Sequence, residues 1–154
     1  TGVDKRIDVI ATLMHFGGTL DDLAGLDLAY APAYGSAKDP VHIAAFIAQN
    51  EADGRVRQVL PDAAPVEGQL VDVRDPAEFE RGTLAGAVNI PLNELRDRLD
   101  QLDKHSPVVV FCQVGQRGYN GARILTQHGF HDVVNLAGGY RMHRHAWPAN
   151  AMAS

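Results

Sequence analysis

Two kinds of periodicity divide the chain. Over the first fifty residues apolar side chains recur at helical spacing, and Ile7, Ile10, Ala11 and Met14, closed by Gly17-Gly18, predict one amphipathic helix. A second opens at Asp39-Pro40, a capping residue followed by a proline in the first turn, and carries Val41, Ala44, Ala45, Ile47 and Ala48. Between them lies a loop rich in small residues. Two helices with that much irregular chain cannot bury both apolar faces alone, so the segment needs a partner. From Asn50 to Gln69 the period is interrupted by Gly54, Arg55, Arg57, Pro61, Pro65 and Gly68, which reads as a linker over residues 51–68.

Beyond it short apolar runs alternate with helical stretches. Leu70-Val71-Asp72-Val73 predicts a strand, and Asp75-Pro76-Ala77-Glu78 starts a helix with a cap, a proline and a glutamate in the capping-box position. Ala87-Val88-Asn89-Ile90 predicts a short strand or extended arm, and Leu92, Leu95, Leu99 and Leu102 the buried stripe of the next helix. Val108-Val109-Val110-Phe111 is an unbroken apolar run, the pattern of a central strand covered on both faces. Tyr119, Ala122, Ile124 and Leu125 continue as a helix that Gly129 closes; Val133-Val134-Asn135-Leu136 follows as a strand. Gly138-Gly139 then turns into a last helical stretch before Trp147 and Pro148. The expected fold is α/β: a small, mostly parallel sheet flanked by helices over residues 69–148, preceded by a helical and irregular fragment over 1–50 and followed by a tail over 149–154. Such sheets place ligands where strand C-termini meet helix N-termini.

Composition narrows the function. With 154 residues, 45% of them hydrophobic and 21% charged, the chain is long enough for one sizeable core. No apolar run approaches the roughly 20 residues that span a bilayer, and Thr1-Gly2-Val3-Asp4 opens neither a signal peptide nor a basic presequence, so a cytoplasmic protein without a membrane partner is expected. A net charge of −5 argues against nucleic acid as a partner. The charge is uneven: residues 1–55 hold four basic and eight acidic side chains, whereas from Lys104 onward Arg117, Arg123, Arg141 and Arg144 join that lysine against Asp132 alone. A locally basic C-terminal third suits an anionic small substrate. The single cysteine, Cys112, excludes internal disulfides and zinc sites built on several thiolates, and fits a reducing compartment.

Chemistry concentrates at Cys112-Gln113-Val114-Gly115-Gln116-Arg117-Gly118, between the central strand and a helix. A thiol there faces the positive end of the helix, and amides of a tight turn can converge on it as an anion nest. Both favour the thiolate, the form that attacks sulfur. Gly115 supplies a backbone angle the turn needs, and Arg117 can close the loop and add positive charge. A lone cysteine after four apolar residues is also, taken by itself, a small buried hydrophobe. Its place at the strand C-terminus, with a glycine and an arginine within one turn-length, favours the nucleophile.

With these residues the chain resembles the rhodanese-like sulfurtransferase domains over about residues 56–147. The likeness rests on Leu70-Val71-Asp72-Val73-Arg74, Glu78-Phe79, Gly86-Ala87-Val88-Asn89-Ile90-Pro91, the loop from Cys112 to Arg117, and Leu136 with Gly138-Gly139 and Trp147. The resemblance implies that Cys112 accepts a sulfane sulfur and holds it as a persulfide, and that the loop amides of Gln113 through Gly118 cradle it. A sulfane sulfur donor and a thiol acceptor are then the partners. Asp72 and Arg74 match a pair that braces the fold under the loop. Thr83-Leu84-Ala85 departs from the family, whose members commonly show a histidine and a proline there, and is expected to lie away from the loop. Cys112 and Arg117 enclose four residues; related phosphatases and arsenate reductases use one more, and the smaller ring suits a sulfur atom better than a tetrahedral oxyanion.

The first segment resembles the end of the dimerisation domain in flavin-dependent disulfide reductases of the coenzyme A-disulfide, polysulfide and NADH oxidase group. The matching stretches are Val3-Asp4-Lys5-Arg6-Ile7-Asp8, Leu28-Ala29-Tyr30-Ala31-Pro32 and Ser36-Ala37-Lys38-Asp39-Pro40-Val41. Some of those reductases carry a rhodanese domain directly afterwards. The resemblance implies a parent protein that holds FAD, NAD(P)H and coenzyme A and dimerises through the segment 1–50. It also implies that Tyr30 approaches the partner's flavin site; an aromatic packed at a subunit interface is the alternative. No G-x-G-x-x-G follows a strand, so this chain is expected to hold neither FAD nor NAD itself, and its start without methionine fits a C-terminal fragment of a reductase.

Other candidates are bland. His128 with His131, and His143 with His145, lack a carboxylate or cysteine at helical spacing, so no metal is expected. Glu78 and Glu80 read as capping and solvated charge. Arg141 and Arg144 form either a solvated face or a wider basic rim around the loop. Beside sulfur transfer stands a second reading, a non-catalytic module that senses an anion and assembles a dimer.

Overall fold

The computed structural model describes residues 2–33, 35–61 and 68–146, which form two compact units divided after Arg55. In the first, α1 (Val3–His15), α2 (Leu20–Gly25) and α3 (Pro40–Ala52) pack around Leu23, Val41 and Ala45. Helix α2 falls in the stretch read as loop. It is started by Thr19 and Asp22, each side chain accepting from the other's backbone amide. Asp39 caps α3 by accepting from the Val41 amide and also binds Arg6 of α1 through both carboxylate oxygens at 2.9–3.1 Å.

The apolar stripe of α1 is not the one the spacing picks out. Val9, Ile10 and Leu13 face the core, whereas Ile7 and Met14 are exposed. Both sides of the helix are apolar, and a periodicity argument cannot say which of two such sides is covered.

The second unit holds a five-stranded, wholly parallel sheet in the order β1 (Arg57–Val59), β5 (Val133–Leu136), β4 (Val108–Phe111), β2 (Gln69–Asp72), β3 (Val88–Asn89). Helices α4 (Pro76–Glu80), α5 (Gln116–Gln127) and α6 (Gly139–Ala146) and a 3₁₀ segment (Leu95–Gln101) complete it. Alternate residues of β4 serve two cores. Val108 and Val110 pack with Val71, Leu95, Ala122 and Leu125 on one face; Val109 and Phe111 pack with Val134, Leu136 and Tyr140 on the other. That is why the run is apolar without a break: each side chain removed from water contributes about 1.5–3 kcal/mol, on whichever face it lies.

Two expectations need correction here. Residues 57–59, assigned to the linker, are an edge strand paired with β5, so the sheet unit begins at Val56. The helix expected on the leucine stripe is a kinked 3₁₀ segment, with Leu95 buried and non-helical angles at Arg98. Trp147, Pro148 and the tail lie outside the described residues.

Candidate active site

Cys112 follows β4 directly, at the C-terminal edge of the sheet, and α5 begins four residues later at Gln116. Between them the chain reverses through Gly115, whose φ of 107° only glycine adopts without strain. This turn aims the Gly115 amide back at the cysteine, where it donates to Sγ at 3.2 Å. Cys112 is buried, its side chain among those that share the face of Val110 and Ala122. Of the amides expected to ring the sulfur, that of Gly115 is the one hydrogen-bonded to it among the described residues. Val114 and Gln116 are exposed on the rim, and Gly118 is buried.

The loop is held from outside by α6. The amides of Tyr140 and Arg141 donate to the carbonyls of Cys112 (2.8 Å) and Gln113 (3.1 Å). Gly139 permits this approach, since a Cβ there would overlap the Cys112 carbonyl oxygen. The side chains of Arg141 and Arg144 are exposed.

Below the loop lies a buried ion pair. Arg74, 2% exposed, binds Asp72, 0% exposed, through Nε and Nη2 at 2.6–3.0 Å. Its remaining donors reach the Gln113 side-chain carbonyl (3.0 Å) and the Gly82 carbonyl (2.8 Å), and its guanidinium stacks on the Tyr140 ring. So fully bonded a pair costs little, but removal of either partner would strand a charge in the core. Through Gln113 the pair supports the residue next to the cysteine. Thr83 donates to the second oxygen of Asp72 at 2.8 Å. The stretch expected to lie apart from the loop is therefore joined to the network beneath it.

Arg117, in the first turn of α5, faces Glu78 on α4 with two parallel hydrogen bonds of 2.7 and 2.8 Å, and Asp75 at 3.5 Å. Glu78 also accepts from the Asp75 amide. It does cap α4, but it is not merely solvated charge. The Arg117 hydrogen bonds hold its carboxyl down to about 2 against the opposing effect of burial. The Glu78 hydrogen bonds in turn raise the pKa of Arg117; burial opposes this, and the charges of Glu78, Cys112 and Asp75 add to it. Arg117 thus stands within electrostatic reach of the cysteine with its orientation fixed by a carboxylate.

Sequence reasoning missed Asn135. Buried in β5, it donates to the Gly115 carbonyl at 3.3 Å and to Gln58 of β1 at 3.1 Å, while its own carbonyl oxygen, which has no hydrogen-bond partner among the described residues, lies against Gly118. A polar residue inside an otherwise apolar strand was the available signal. Tyr30 is exposed and belongs to the first unit. His128 bonds the Ile124 carbonyl at the end of α5, and among the described residues no cluster of three or more His, Cys, Asp or Glu could hold a metal ion. Nor is any described helix long and apolar enough to cross a membrane.

The turn after β4 is where a parallel sheet would offer a dinucleotide its helix N-terminus. Here it is occupied by Cys112 and by the start of α6, bonded to the carbonyls of Cys112 and Gln113.

Comparison with known proteins agrees with this geometry. The rhodanese-like domain family matches residues 55–144. The thiosulfate sulfurtransferase GlpE of Pseudomonas aeruginosa is 34% identical over 102 residues, 66% of this chain and 89% of that protein. Two solved structures resemble nearly the whole chain. The reduced Bacillus anthracis CoADR-RHD is 43% identical with a TM-score of 0.90 over 96% of this chain. A NAD-dependent persulfide reductase from A. fulgidus is 40% identical with a TM-score of 0.80 over 91%. The chain spans only 27% and 25% of those two proteins.

Proposed function

This chain belongs to the rhodanese-like domain family, and from that premise we propose that Cys112 carries sulfur between small molecules as a persulfide. The observation that carries the reading is the Gly115 amide, 3.2 Å from Sγ in a loop fixed on both sides. Such a donor stabilises negative charge on sulfur both before and after loading.

With thiosulfate as donor, the Cys112 thiolate attacks the outer sulfur. The S–S bond breaks and its electron pair leaves on sulfite, while Cys112 keeps the sulfur as Sγ–S⁻. An acceptor thiolate then attacks that outer sulfur; the Sγ–S bond breaks and the pair returns to Sγ. One sulfur atom moves, and no outside oxidant or reductant is needed. Arg117 places positive charge beside an anionic donor, and Arg74, through Gln113, holds the loop in shape. The expected signature is release of sulfite in step with consumption of acceptor thiol. Sulfite release that persists in Cys112→Ser would overturn the proposal.

Likeness to the two reductases further supports reading residues 1–50 as the end of a dimerisation domain within a longer protein. FAD, NAD(P)H and coenzyme A would then be held outside this chain, and no step above passes through them. The exposed apolar residues Ile7, Met14, Phe16, Ile43 and Ile47 supply the surface such a dimer would cover.

A further inference from the structure

One of the buried positions of β5 is an amide. Val134 and Leu136 belong to the core of Val109 and Phe111, so Asn135 points with Val133 to the opposite face, the one α5 covers. There its Oδ1 lies against Gly118, where any Cβ would overlap it, so α5 approaches the strand this closely only on a glycine. Nδ2 donates to the Gly115 carbonyl at 3.3 Å and to Gln58 Oε1 at 3.1 Å. Turning the amide over would set its oxygen against the Gly115 carbonyl, which fixes the orientation. In that orientation Oδ1 is buried and has no hydrogen-bond partner among the described residues. An apolar side chain at this position would extend the run of Val133, Val134 and Leu136 and strand no oxygen. Stability of the sheet therefore does not account for an amide here, whereas its bond to the cysteine loop does.

Gly115 is the hinge of that loop. Its own amide donates to Sγ of Cys112 at 3.2 Å, and a glycine has the widest backbone freedom of any residue. Among the described residues its carbonyl has two donors, the Tyr119 amide at 2.8 Å within α5 and the Asn135 side chain. The first belongs to the same loop and helix; the second ties Gly115 to the sheet. Cys112 follows β4, and β4 pairs directly with β5, Val110 opposite Asn135. The sulfur and the amide that faces it are thus referred to neighbouring strands of one frame.

We propose that Asn135 is a positioning residue for sulfur loading: it fixes the Gly115 carbonyl and so keeps the Gly115 N–H aimed at Sγ. The inference rests on the carrier reading above and adds to it the residue that holds the sulfur's hydrogen-bond donor in place. The step is the loading already given, in which Sγ attacks the outer sulfur of thiosulfate, the S–S bond breaks and its electron pair leaves on sulfite. Asn135 exchanges neither proton nor electron in it. A donor held in place beforehand needs no reorganisation during the reaction, whereas a freely turning glycine does.

The test uses the whole chain and two substitutions, Asn135→Leu and Asn135→Ala, which differ in volume and share the loss of the amide. Loading is followed as the single-turnover burst of sulfite. At saturating thiosulfate the burst rate is expected to fall about tenfold in both, at full amplitude and with half-saturation within about twofold of wild type, because Asn135 is buried beneath the loop and meets no donor. A merely structural role would lower the amplitude, the fraction of molecules folded, and leave the rate alone. That result, or a wild-type rate in either variant, overturns the proposal; Asn135→Ala, which adds no atom, decides if the larger side chain is not accommodated. Hydrogen exchange of the Gly115 amide, read by NMR, tests the geometry without sulfur. It is expected to quicken about tenfold in both variants while the amides of β4 and β5 keep their wild-type protection, and unaltered exchange at Gly115 overturns the proposal. If wild type releases no sulfite, the carrier reading fails, and with it the loading role of Asn135, whatever the exchange shows.

Discussion

The two units use similar apolar material in opposite ways. In residues 56–146 every residue of β4 and β5 is buried, and even the polar ones inside, Asp72, Arg74 and Asn135, are bonded into the frame of the cysteine loop. Among the described residues of 2–55 the buried hydrophobic side chains are Leu23, Val41 and Ala45, while Val3, Ile7, Met14, Phe16, Ile43 and Ile47 remain open to solvent. A sheet with helices on its faces closes its own core; a few short helices do not. The sheet unit thus closes its own core, whereas the helical unit leaves apolar side chains exposed.

Substitutions should therefore separate the units. The largest effect is expected from Asp72→Ala, which leaves the buried Arg74 charge without its carboxylate and costs about 3–5 kcal/mol, read as a lowered urea midpoint of the sheet unit. Gly139→Ala forces a Cβ against the Cys112 carbonyl and should cost about 1–3 kcal/mol and slow sulfur loading as well. A normal loading rate would show that α6 does not set the loop.

A smaller effect depends on pH. Because the folded-state pKa of Glu78 is lowered, to about 2 from 4.5, its pairing with Arg117 stabilises the fold fully above the ordinary carboxylate value and is lost as pH falls through about 2. The stability gap between wild type and Glu78→Gln should be present at neutral pH and close on acidification; a gap that widens would place the pairing elsewhere. The smallest change in stability, within about 0.5 kcal/mol, is expected for Ile7→Asp in the helical unit. Its effect should instead appear in sedimentation, as loss of any self-association shown by wild type.

Legibility in the sequence follows the same division. Strand β4 was readable because burial on both faces leaves an unbroken apolar run, β2 and β5 because short apolar stretches survive around Asp72 and Asn135, and Asp39-Pro40 and Asp75-Pro76 announced α3 and α4. Strand β1 was not: a three-residue edge with one exposed arginine carries no period, and only its pairing with β5 makes it a strand. Helix α2 was not read either: its capping box of Thr19 and Asp22 starts a helix of six residues, too few for a periodicity. At the site, the cysteine loop was legible as a local pattern. The partners that fix it were not, because Glu78 and Arg117 stand 39 residues apart and Asn135 and Gly115 stand 20 apart. Only the fold brings them together.

The central claim is that Cys112 holds the transferred sulfur. Intact-mass measurement of the chain after exposure to thiosulfate should show the gain of one sulfur atom, removed by a thiol reductant and absent in Cys112→Ser. No gain in the wild-type chain, or the same gain in Cys112→Ser, would contradict it.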